Sequence, residues 1–279
     1  MAICSRRRIG VCVLTRGYDR LDAYDVLCVR NDRIRKWLEK VHSDVKSKYD
    51  FDIVVFHEGN ILEGHREYIQ SMTPDLPLIF RDVRHEFEME AGSGSDTCLY
   101  CKPTPESERF PVGYKHMCRF WFSRFLKHTR DYDIVIRIDE DCWIEPFDLH
   151  RVLEHMRASG CVYVTPRWVG ADDPSVTDGL IAVCDAFARD HGLPAPSYDR
   201  NPYTSVFIMD AAYFRENRIV QAFFRRIEET GCIYRNRWGD LPLWGVLLSC
   251  MGLHEQERCC EELALRYLHF SHWHKINTD

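Results

Sequence analysis

Two carboxylates separated by one residue, Asp139 and Asp141, follow directly on segment 133–138, whose apolar side chains are typical of a buried strand. In an open α/β sheet, ligands bind beyond the carboxyl ends of the strands. Carboxylate oxygens are the ligands that Mn²⁺ and Mg²⁺ prefer, and such a cation neutralises the charge of a diphosphate. The pattern therefore predicts a divalent cation held against a nucleotide diphosphate. The alternative is a solvated acidic turn, because a D-x-D sequence often arises by chance.

The end of the chain carries a second set of candidate metal ligands. His269, His272 and His274 lie among aromatic side chains in segment 267–274. An imidazole can complete the coordination of an ion such as Mn²⁺. Taken alone, the segment is more typical of an aromatic cluster that packs the tail onto the domain, with its histidines bonded to backbone groups.

Asp240 lies in segment 236–242, Asn-Arg-Trp-Gly-Asp-Leu-Pro, directly before a predicted helix. Asp is a favoured N-cap and Pro is accepted in the first turn, so a purely structural cap explains the pattern. A carboxylate at this point could also act as a general base and remove the proton of an acceptor hydroxyl. Both interpretations stay open on these residues alone.

Cysteine is abundant, with 13 residues. The pair Cys98 and Cys101 has C-x-x-C spacing, but a zinc site needs two further ligands. The adjacent Cys259 and Cys260 are poor partners because neighbouring residues chelate awkwardly. No signal peptide is recognisable, which favours reduced thiols and a cytoplasmic location. We therefore expect Cys98 and Cys101 to be plain loop thiols.

The elements that must position these residues alternate between strands and helices. Apolar strand-like runs occupy 9–14, 52–56, 76–80, 133–138, 161–164 and 205–209. Helical patterns cover 21–48, 114–127, 146–159, 176–191 and 211–230, and a last amphipathic helix follows the turn at 236–240. The alternation predicts an α/β fold with a mostly parallel mixed sheet flanked by helices. We expect one domain over residues 1–279, with a loop insertion at about 91–112.

The charge balance limits the class of partner. The 279 residues include 37 Lys and Arg against 43 Asp and Glu, a formal charge of −6. This disfavours a nucleic-acid partner bound by bulk electrostatics, since such domains are usually basic. The apolar runs are also far shorter than the roughly 20 residues of a membrane-spanning helix. We expect neither a nucleic-acid partner nor a membrane span.

Three segments, in this order, resemble glycosyltransferase family 15, the fungal α-1,2-mannosyltransferases, which are nucleotide-sugar transferases of the GT-A type. They are 114–120 (Tyr-Lys-His-Met-Cys-Arg-Phe), 132–141 (Tyr-Asp-Ile-Val-Ile-Arg-Ile-Asp-Glu-Asp) and 237–242 (Arg-Trp-Gly-Asp-Leu-Pro). The family also ends with a Tyr-His-His type segment, to which His272 or His274 would correspond. The similarity extends over residues 8–274 as a series of short matching stretches.

The resemblance implies a GT-A fold, a single Rossmann-like domain that holds the nucleotide in its N-terminal half. Asp139 and Asp141, together with His272 or His274, would hold Mn²⁺ (or Mg²⁺) on the donor diphosphate. Asp139 and Glu140 would also face the nucleotide sugar itself.

The same resemblance suggests further contacts to the donor. Thr15 and Arg16 fall at the end of the first predicted strand, where folds of this type meet the nucleotide. Tyr114 and Arg119 would face the phosphates or pack on the acceptor side. For Arg119, a structural ion pair is the alternative.

The sequence departs from the family in three respects. No membrane anchor is visible, which implies a cytoplasmic enzyme, similar to those that large algal viruses (chloroviruses) encode to glycosylate their capsid proteins, and then located in the host cytoplasm. Asp139 and Glu140 replace a Glu and a Pro, which keeps a carboxylate where the metal needs it. Phe207, in segment 205–210, occupies the position of a Glu proposed as a nucleophile.

The substitution at Phe207 favours inversion at the anomeric carbon, because Phe is neither a nucleophile nor a charge that stabilises an oxocarbenium ion. Asp240 would then take the acceptor proton while the cation stabilises the departing nucleotide diphosphate. Asp210 is a weaker candidate base. A retaining GDP-mannose mannosyltransferase is the alternative.

The sugar is open, because discrimination between sugars depends on a few hydrogen bonds in a pocket. The viral resemblance favours a UDP-sugar donor, with xylose a candidate. The acceptor is expected to be a glycan or glycoprotein, whose site the loops at 91–112 and 192–204 would shape.

Two other classes of protein remain as alternatives. A nucleotidyltransferase also uses spaced carboxylates, but no Gly-rich phosphate loop precedes Asp139. A non-catalytic carbohydrate-binding module would stack sugars on Trp121, Trp168, Trp238 and Trp244, although aromatic residues more often belong to the core.

Overall fold

The computed structural model describes residues 6–88, 100–145 and 147–253, together with the backbone of 267–269. The strands are β1 (Arg7–Thr15), β2 (Tyr49–His57), β3 (Leu78–Asp82), β4 (Ile134–Ile138), β5 (Cys142–Ile144), β6 (Tyr163–Val164), β7 (Trp168–Gly170), β8 (Arg200–Pro202), β9 (Val206–Asp210) and β10 (Tyr267–His269). The helices are α1 (Asp25–Lys40), α2 (Ser43–Lys48), α3 (Glu63–Ser71), α4 (Pro105–Glu108), α5 (Val112–Arg119), α6 (Phe125–His128), α7 (Leu149–Ser159), α8 (Leu180–Asp190), α9 (Ala211–Glu216), α10 (Arg218–Thr230), α11 (Cys232–Arg235) and α12 (Asp240–Cys250). Short 3-10 turns lie at Leu21–Tyr24, Arg84–Glu86 and Pro174–Val176, and a π-helical turn at Phe120–Arg124 joins α5 to α6.

A six-stranded sheet in the order β3-β2-β1-β4-β9-β6 forms the centre of the fold. The first four of these strands run parallel to one another. In contrast, β9 runs antiparallel to both β4 and β6. The smaller pairs β5–β10 and β7–β8 are antiparallel. The predicted α/β fold with a mostly parallel mixed sheet is therefore confirmed.

Side chains alternate along β4 between two apolar layers. Ile134, Ile136 and Ile138 belong to the layer beneath α1 and α7. Val135 belongs to an aromatic layer on the other face, which includes Trp121 and Phe207. Because successive residues of a strand point to opposite faces, Arg137 lies on the aromatic face. The strand thus carries one charged side chain into a hydrophobic layer.

A buried arginine from α1 fastens the carboxyl ends of the two central strands. Arg30 donates from Nε to the carbonyl of Ile138 (2.9 Å) and from Nη2 to the carbonyl of Cys12 (3.2 Å). A third bond runs from Nη1 to the side chain of Asn31 (2.8 Å). Burial lowers the pKa of Arg30 to about 10. Since β4 ends at Ile138, this arginine helps to set where the acidic motif begins.

Two long predicted helices are broken by capping side chains. The helix expected over 21–48 stops at Lys40, and His42 caps α2 by accepting from the N–H of Asp44 (3.2 Å). The helix expected over 211–230 divides at Asn217, whose side chain accepts from the N–H of Ile219 (3.0 Å). Apolar periodicity continues across both breaks, so the pattern alone does not reveal them.

The last predicted helix is not amphipathic. In α12, the side chains from Pro242 to Cys250 are buried on every face. The helix packs closely on β8, where a Cβ on Gly245 would collide with Asn201. A helix that is apolar all round belongs inside a protein, so the prediction of a half-exposed helix was wrong.

The predicted loop at 91–112 contains structure in its described part. Helix α4 begins with a capping box, in which Thr104 and Ser107 each accept from the backbone of the other. Cys101 forms a disulfide with Cys232 at the start of α11. The prediction of a plain thiol was therefore wrong for Cys101, because a partner 131 residues away in sequence meets it in space. Cys98, Cys259 and Cys260 lie outside the described residues.

Among the described residues, no helix combines the length and the apolar character that crossing a membrane requires.

Candidate active site

The acidic motif lies in the turn between β4 and β5, at the carboxyl edge of the parallel strands. The N–H of Asp139 donates to the carbonyl of Ser205 (2.9 Å), and the N–H of Cys142 donates to the carbonyl of Asp139 (3.0 Å). The first bond ties the motif to the residue before β9, and the second closes the turn. The side chains of Asp139 and Asp141 line two cavities. Both carboxylates thus stand at the edge where α/β sheets bind ligands.

The two cavities lie on either side of this motif. The larger is a cleft of about 610 Å³, bordered by Tyr114, Asp172, Arg237 and the start of α12. The smaller has about 350 Å³ and reaches Leu14 near the end of β1 and Tyr18 beyond it. Four residues line both cavities, namely Met117, Arg137, Asp139 and Asp141. A molecule in one cavity is therefore in reach of the same carboxylates as a molecule in the other.

Arg137 binds two carboxylates at once. Its Nε and Nη2 donate to Asp139 (2.7 and 3.0 Å), and its Nη1 donates to Asp240 Oδ2 (2.7 Å). The guanidinium is buried and lies 4.4 Å above the ring of Trp121. Burial raises the pKa of Asp139, and the nearby positive charge of Arg137 only partly offsets that effect. One buried cation is thus shared between two carboxylates.

Asp240 is the first residue of α12 and is only 5% exposed. The N-cap of that helix is Gly239, and the Asp240 side chain turns instead to Arg137. Asp240 is therefore the first helical residue and not the N-cap. The carboxylate borders the larger cleft, close to the acidic motif. That position suits a base acting on a group bound in the cleft.

Glu140 faces the end of β1. Its carboxylate accepts from the Thr15 hydroxyl (2.8 Å) and from the Tyr18 hydroxyl (3.2 Å). Burial raises the pKa of Glu140, and the two hydroxyl bonds act in the opposite direction. Glu140 and Tyr18 line the smaller cavity. The structure therefore brings Thr15 and Glu140 together, and the Thr15 hydroxyl donates a hydrogen bond to the Glu140 carboxylate.

The remaining predicted donor contacts are not equally placed. Arg16 is exposed, with its guanidinium 5.2 Å from the ring of Tyr18. Tyr114 borders the larger cleft. Arg119 is buried and pairs with Glu228 (3.6 Å). It is not among the residues that line either cavity, so the structural ion pair is the better description of Arg119.

The C-terminal histidines His272 and His274 lie outside the described residues. The backbone of the segment just before them is described. In β10, His269 pairs in register with Cys142 of β5. Because Cys142 directly follows Asp141, the chain returns to the acidic motif shortly before these histidines.

Phe207 and Asp210, which the sequence analysis related to the nucleophile and the base, both lie on β9. Phe207 is fully buried and pairs in register with Arg137, so an apolar ring stands there. Asp210 pairs with Ile134, at the opposite end of β4 from the acidic motif. Its side chain caps α9 by accepting from the N–H of Tyr213 (3.0 Å). The prediction of Asp210 as an alternative base was therefore wrong. Because β9 runs antiparallel to β4, Asp210 lies at the edge of the sheet opposite the acidic motif.

The sequence reasoning did not assign roles to several residues of the cleft. Arg237 donates to Asp172 (2.8 Å) and to the Tyr114 hydroxyl (2.8 Å), and it has a φ of 62°. That left-handed conformation is rare for a residue other than glycine and is concentrated at functional sites. A signal did exist for Arg137, because a charged residue inside an otherwise apolar strand needs a buried partner.

Comparison with solved structures relates this fold to known enzymes. It is similar to the mannosyltransferase Ktr4p from S. cerevisiae, with a TM-score of 0.72, 16% identity, and coverage of 94% of this chain and 70% of that chain. For core-mannan synthase A from Aspergillus fumigatus, in an Mn/GDP form, the TM-score is 0.69 and the identity 16%, with coverage of 96% of this chain and 76% of that chain. For mouse xyloside xylosyltransferase 1, the TM-score is 0.50 and the identity 11%, with coverage of 90% of this chain and 83% of that chain. No family model and no curated protein matches the sequence.

The chain has the GT-A fold of these glycosyltransferases. At 16% identity or below, the likeness concerns the fold.

Proposed function

We propose that this chain is a metal-dependent glycosyltransferase, which moves a sugar from a nucleotide diphosphate to a hydroxyl of a glycan or glycoprotein. The observation that carries the proposal is the position of Asp139 and Asp141 between two cavities, with Asp240 on the wall of the larger one. A transferase needs two adjoining binding spaces with the reacting groups where they meet. The likeness in fold to mannosyl- and xylosyltransferases supports it.

The residues at the end of β4 fit a divalent cation. Asp139 and Asp141 supply carboxylate oxygens, which Mn²⁺ and Mg²⁺ prefer. Burial raises the pKa of Asp139 and Arg137 offsets this only in part, so a bound cation would further stabilise the charged carboxylate. These two residues would hold the ion, with His272 or His274 completing the set. When bound, such an ion neutralises the charge that develops on the leaving diphosphate.

The chain's own residues then divide the work. The smaller cavity, whose lining includes Tyr18 and Glu140, would receive the nucleotide. The larger cleft would receive the acceptor. Asp240 would accept the proton of the acceptor hydroxyl at its carboxylate. Arg137, which donates to Asp240 at 2.7 Å, would hold that carboxylate in position.

Inversion is the stereochemistry that these residues favour. A retaining double displacement needs a nucleophile beside the anomeric carbon, and the buried Phe207 offers none. We propose a UDP-sugar as donor, with xylose a candidate. A retaining GDP-mannose transferase is the second candidate, because the fungal relatives in fold are mannosyltransferases, one of them described in an Mn/GDP form.

The test is a panel of UDP- and GDP-sugars, each incubated with the protein and Mn²⁺, with EDTA as the control. We expect one donor to raise the melting temperature of the protein and to be hydrolysed slowly. Both effects should occur only when Mn²⁺ is present. NMR of the released or transferred sugar gives the anomeric configuration. If no donor stabilises the protein with or without Mn²⁺, the proposal is wrong.

The carbohydrate-binding alternative loses its main support in the structure. Three of the four candidate residues, Trp121, Trp238 and Trp244, are almost fully buried and form core contacts. Trp168 is half-buried and would be the one ring of the four left to stack on a sugar. A module of this kind would also ignore the nucleotide, so the same donor panel separates the two functions.

The cytoplasmic location stays a proposal, as does the viral origin. The disulfide between Cys101 and Cys232 is the observation against a reducing compartment, since disulfides persist mainly in oxidising ones. Trapping free thiols in the cells that make the protein, followed by mass spectrometry of these two cysteines, decides between the two environments.

A further inference from the structure

A second group of metal-ligating side chains lies away from the cleft. His85 and Glu86 belong to the 3-10 turn after β3, and His128 ends α6. One ligand atom from each of the three lies within 4.8 Å of the others. Strand β3 is at the edge of the sheet, with β2 and β1 between it and β4. The group is therefore separate from the acidic motif.

The distances in this group suit a small tetrahedral ion. Glu86 Oε1 lies 2.8 Å from His128 Nε2 and 3.1 Å from His85 Nε2. A tetrahedral Zn²⁺ with ligands at about 2.0–2.1 Å would place its ligand atoms about 3.3 Å apart. Both distances from Glu86 are thus a few tenths of an ångström shorter than this spacing. The Glu86 side chain is 3% exposed and that of His85 is 55% exposed, so the group has a buried anchor and an open entrance.

A positive group already occupies the buried carboxylate. The ammonium of Lys127 contacts the same Glu86 oxygen. His128 also bonds this oxygen, at 2.8 Å. Lys127 is 37% exposed, so its side chain can turn to solvent when another cation arrives.

We propose that His85, Glu86 and His128 bind Zn²⁺, and that Lys127 neutralises the same carboxylate when the metal is absent. Two imidazoles and one carboxylate are a ligand set typical of Zn²⁺, with water in the fourth position. The set differs from the oxygen-rich acidic motif, which suits harder ions. The bound ion fastens the turn after β3 to the end of α6.

The test measures Zn²⁺ binding to the whole protein by calorimetry, with excess Mg²⁺ present to occupy sites made of oxygen ligands. We expect one Zn²⁺ per chain at this site. His85→Gln and His128→Gln should each weaken binding by at least about tenfold, since even the outer partners of metal ligands contribute about 10–100-fold in affinity. Lys127→Gln should strengthen binding several-fold, because the competing cation is removed.

The control is a second histidine pair that lacks a buried carboxylate. The rings of His42 and His150 are 5.3 Å apart, and His150→Gln should leave Zn²⁺ affinity unchanged. His85 is exposed enough that His85→Gln is expected to fold, which a melting curve checks. Wild-type affinity in His85→Gln, or weaker binding in Lys127→Gln, would mean that the group is an ion-pair network only and would overturn the proposal.

Discussion

At the scale of the residue, Arg137 links the two carboxylates on which the proposed chemistry depends. It bonds Asp139 on one side and Asp240 on the other. A cation bound at Asp139 would compete with Arg137 for that carboxylate. The guanidinium would then be left to Asp240, so metal binding and the position of the proposed base are linked through one side chain.

Replacing the proposed base tests the mechanism directly. In Asp240→Asn, we expect sugar transfer to fall about 10²–10⁴-fold, the usual contribution of a general base. Donor binding should stay close to normal, because the acidic motif is intact. Steady-state transfer assays and thermal shift with the donor measure the two effects separately.

Asp210→Asn is the matched control for that variant. Asp210 caps α9 at the far edge of the sheet, and Asn is an equally good N-cap. Transfer should therefore stay near the wild-type rate. Near-normal transfer in Asp240→Asn would remove Asp240 from the role of base.

Removing the Arg137 charge should affect stability and metal response together. Arg137→Met leaves the carboxylates of Asp139 and Asp240 buried without their common partner. Breaking a buried pair in this way costs about 3–5 kcal/mol. We also expect Mn²⁺ to raise the melting temperature more than in the wild type, because the ion relieves the repulsion between the carboxylates.

The comparison variant is Arg119→Met, since Arg119 is also a buried arginine in an ion pair. Its partner Glu228 keeps a bond from Ser123 (2.7 Å) and an ion pair with Arg124. The loss of stability should be smaller and Mn²⁺ should have its wild-type effect. Equal Mn²⁺ responses in both variants would argue against a cation at Asp139.

At the scale of the element, helix α1 positions the acidic motif through Arg30. That side chain binds the last carbonyl of β4 and a carbonyl of β1, which are adjacent parallel strands. Both strands end at the same edge, so one arginine aligns the acidic motif with the segment that carries Thr15 and Tyr18. The two halves of the proposed donor site therefore share a common support.

Arg30→Met should weaken this support without touching any proposed ligand. Two buried carbonyls would lose their donor, and leaving a buried polar group unsatisfied costs about 1–3 kcal/mol each. We expect a lower melting temperature and a weaker Mn²⁺-dependent stabilisation by the donor. Arg35→Met, on the exposed side of α1, should leave both nearly unchanged. Donor stabilisation at the wild-type level in Arg30→Met would contradict the positioning role.

At the scale of the whole molecule, the disulfide joins two distant parts of the chain beside the cleft. Cys101 precedes α4, and Cys232 begins α11, a few residues before Arg237. Asn236 adds a bond to the carbonyl of Lys102. The segment around 101–104 is thus tied to the strained turn that leads into α12.

Replacing both cysteines, in the double variant Cys101→Ser and Cys232→Ser, should reduce the free energy of unfolding by about 2–5 kcal/mol. A reductant should have the same effect on the wild type and none on the variant. The described cysteines outside this disulfide are all buried, so they should contribute little to this response. Chemical denaturation with and without reductant makes the measurement, and an unchanged midpoint in the variant would show that the bridge does not stabilise the fold.

The strands were predictable because each central one is a continuous apolar run. β1 and β4 are buried on both faces, and such strands show no polar alternation. The helix breaks at His42 and Asn217 were not predictable in this way, since they depend on single capping bonds. The single domain over residues 1–279 stays a prediction.

The sequence by itself determined the fold class and the position of the acidic motif, because a hydrophobic run followed by carboxylates is a local pattern. Only the tertiary structure decided which charges meet. The fold pairs Arg137 with Asp240 and joins Cys101 to Cys232. It also places Asp210 at the edge of the sheet opposite the acidic motif. These outcomes depend on strand direction and on contacts between residues about 100 or more positions apart, which no local pattern in the sequence encodes.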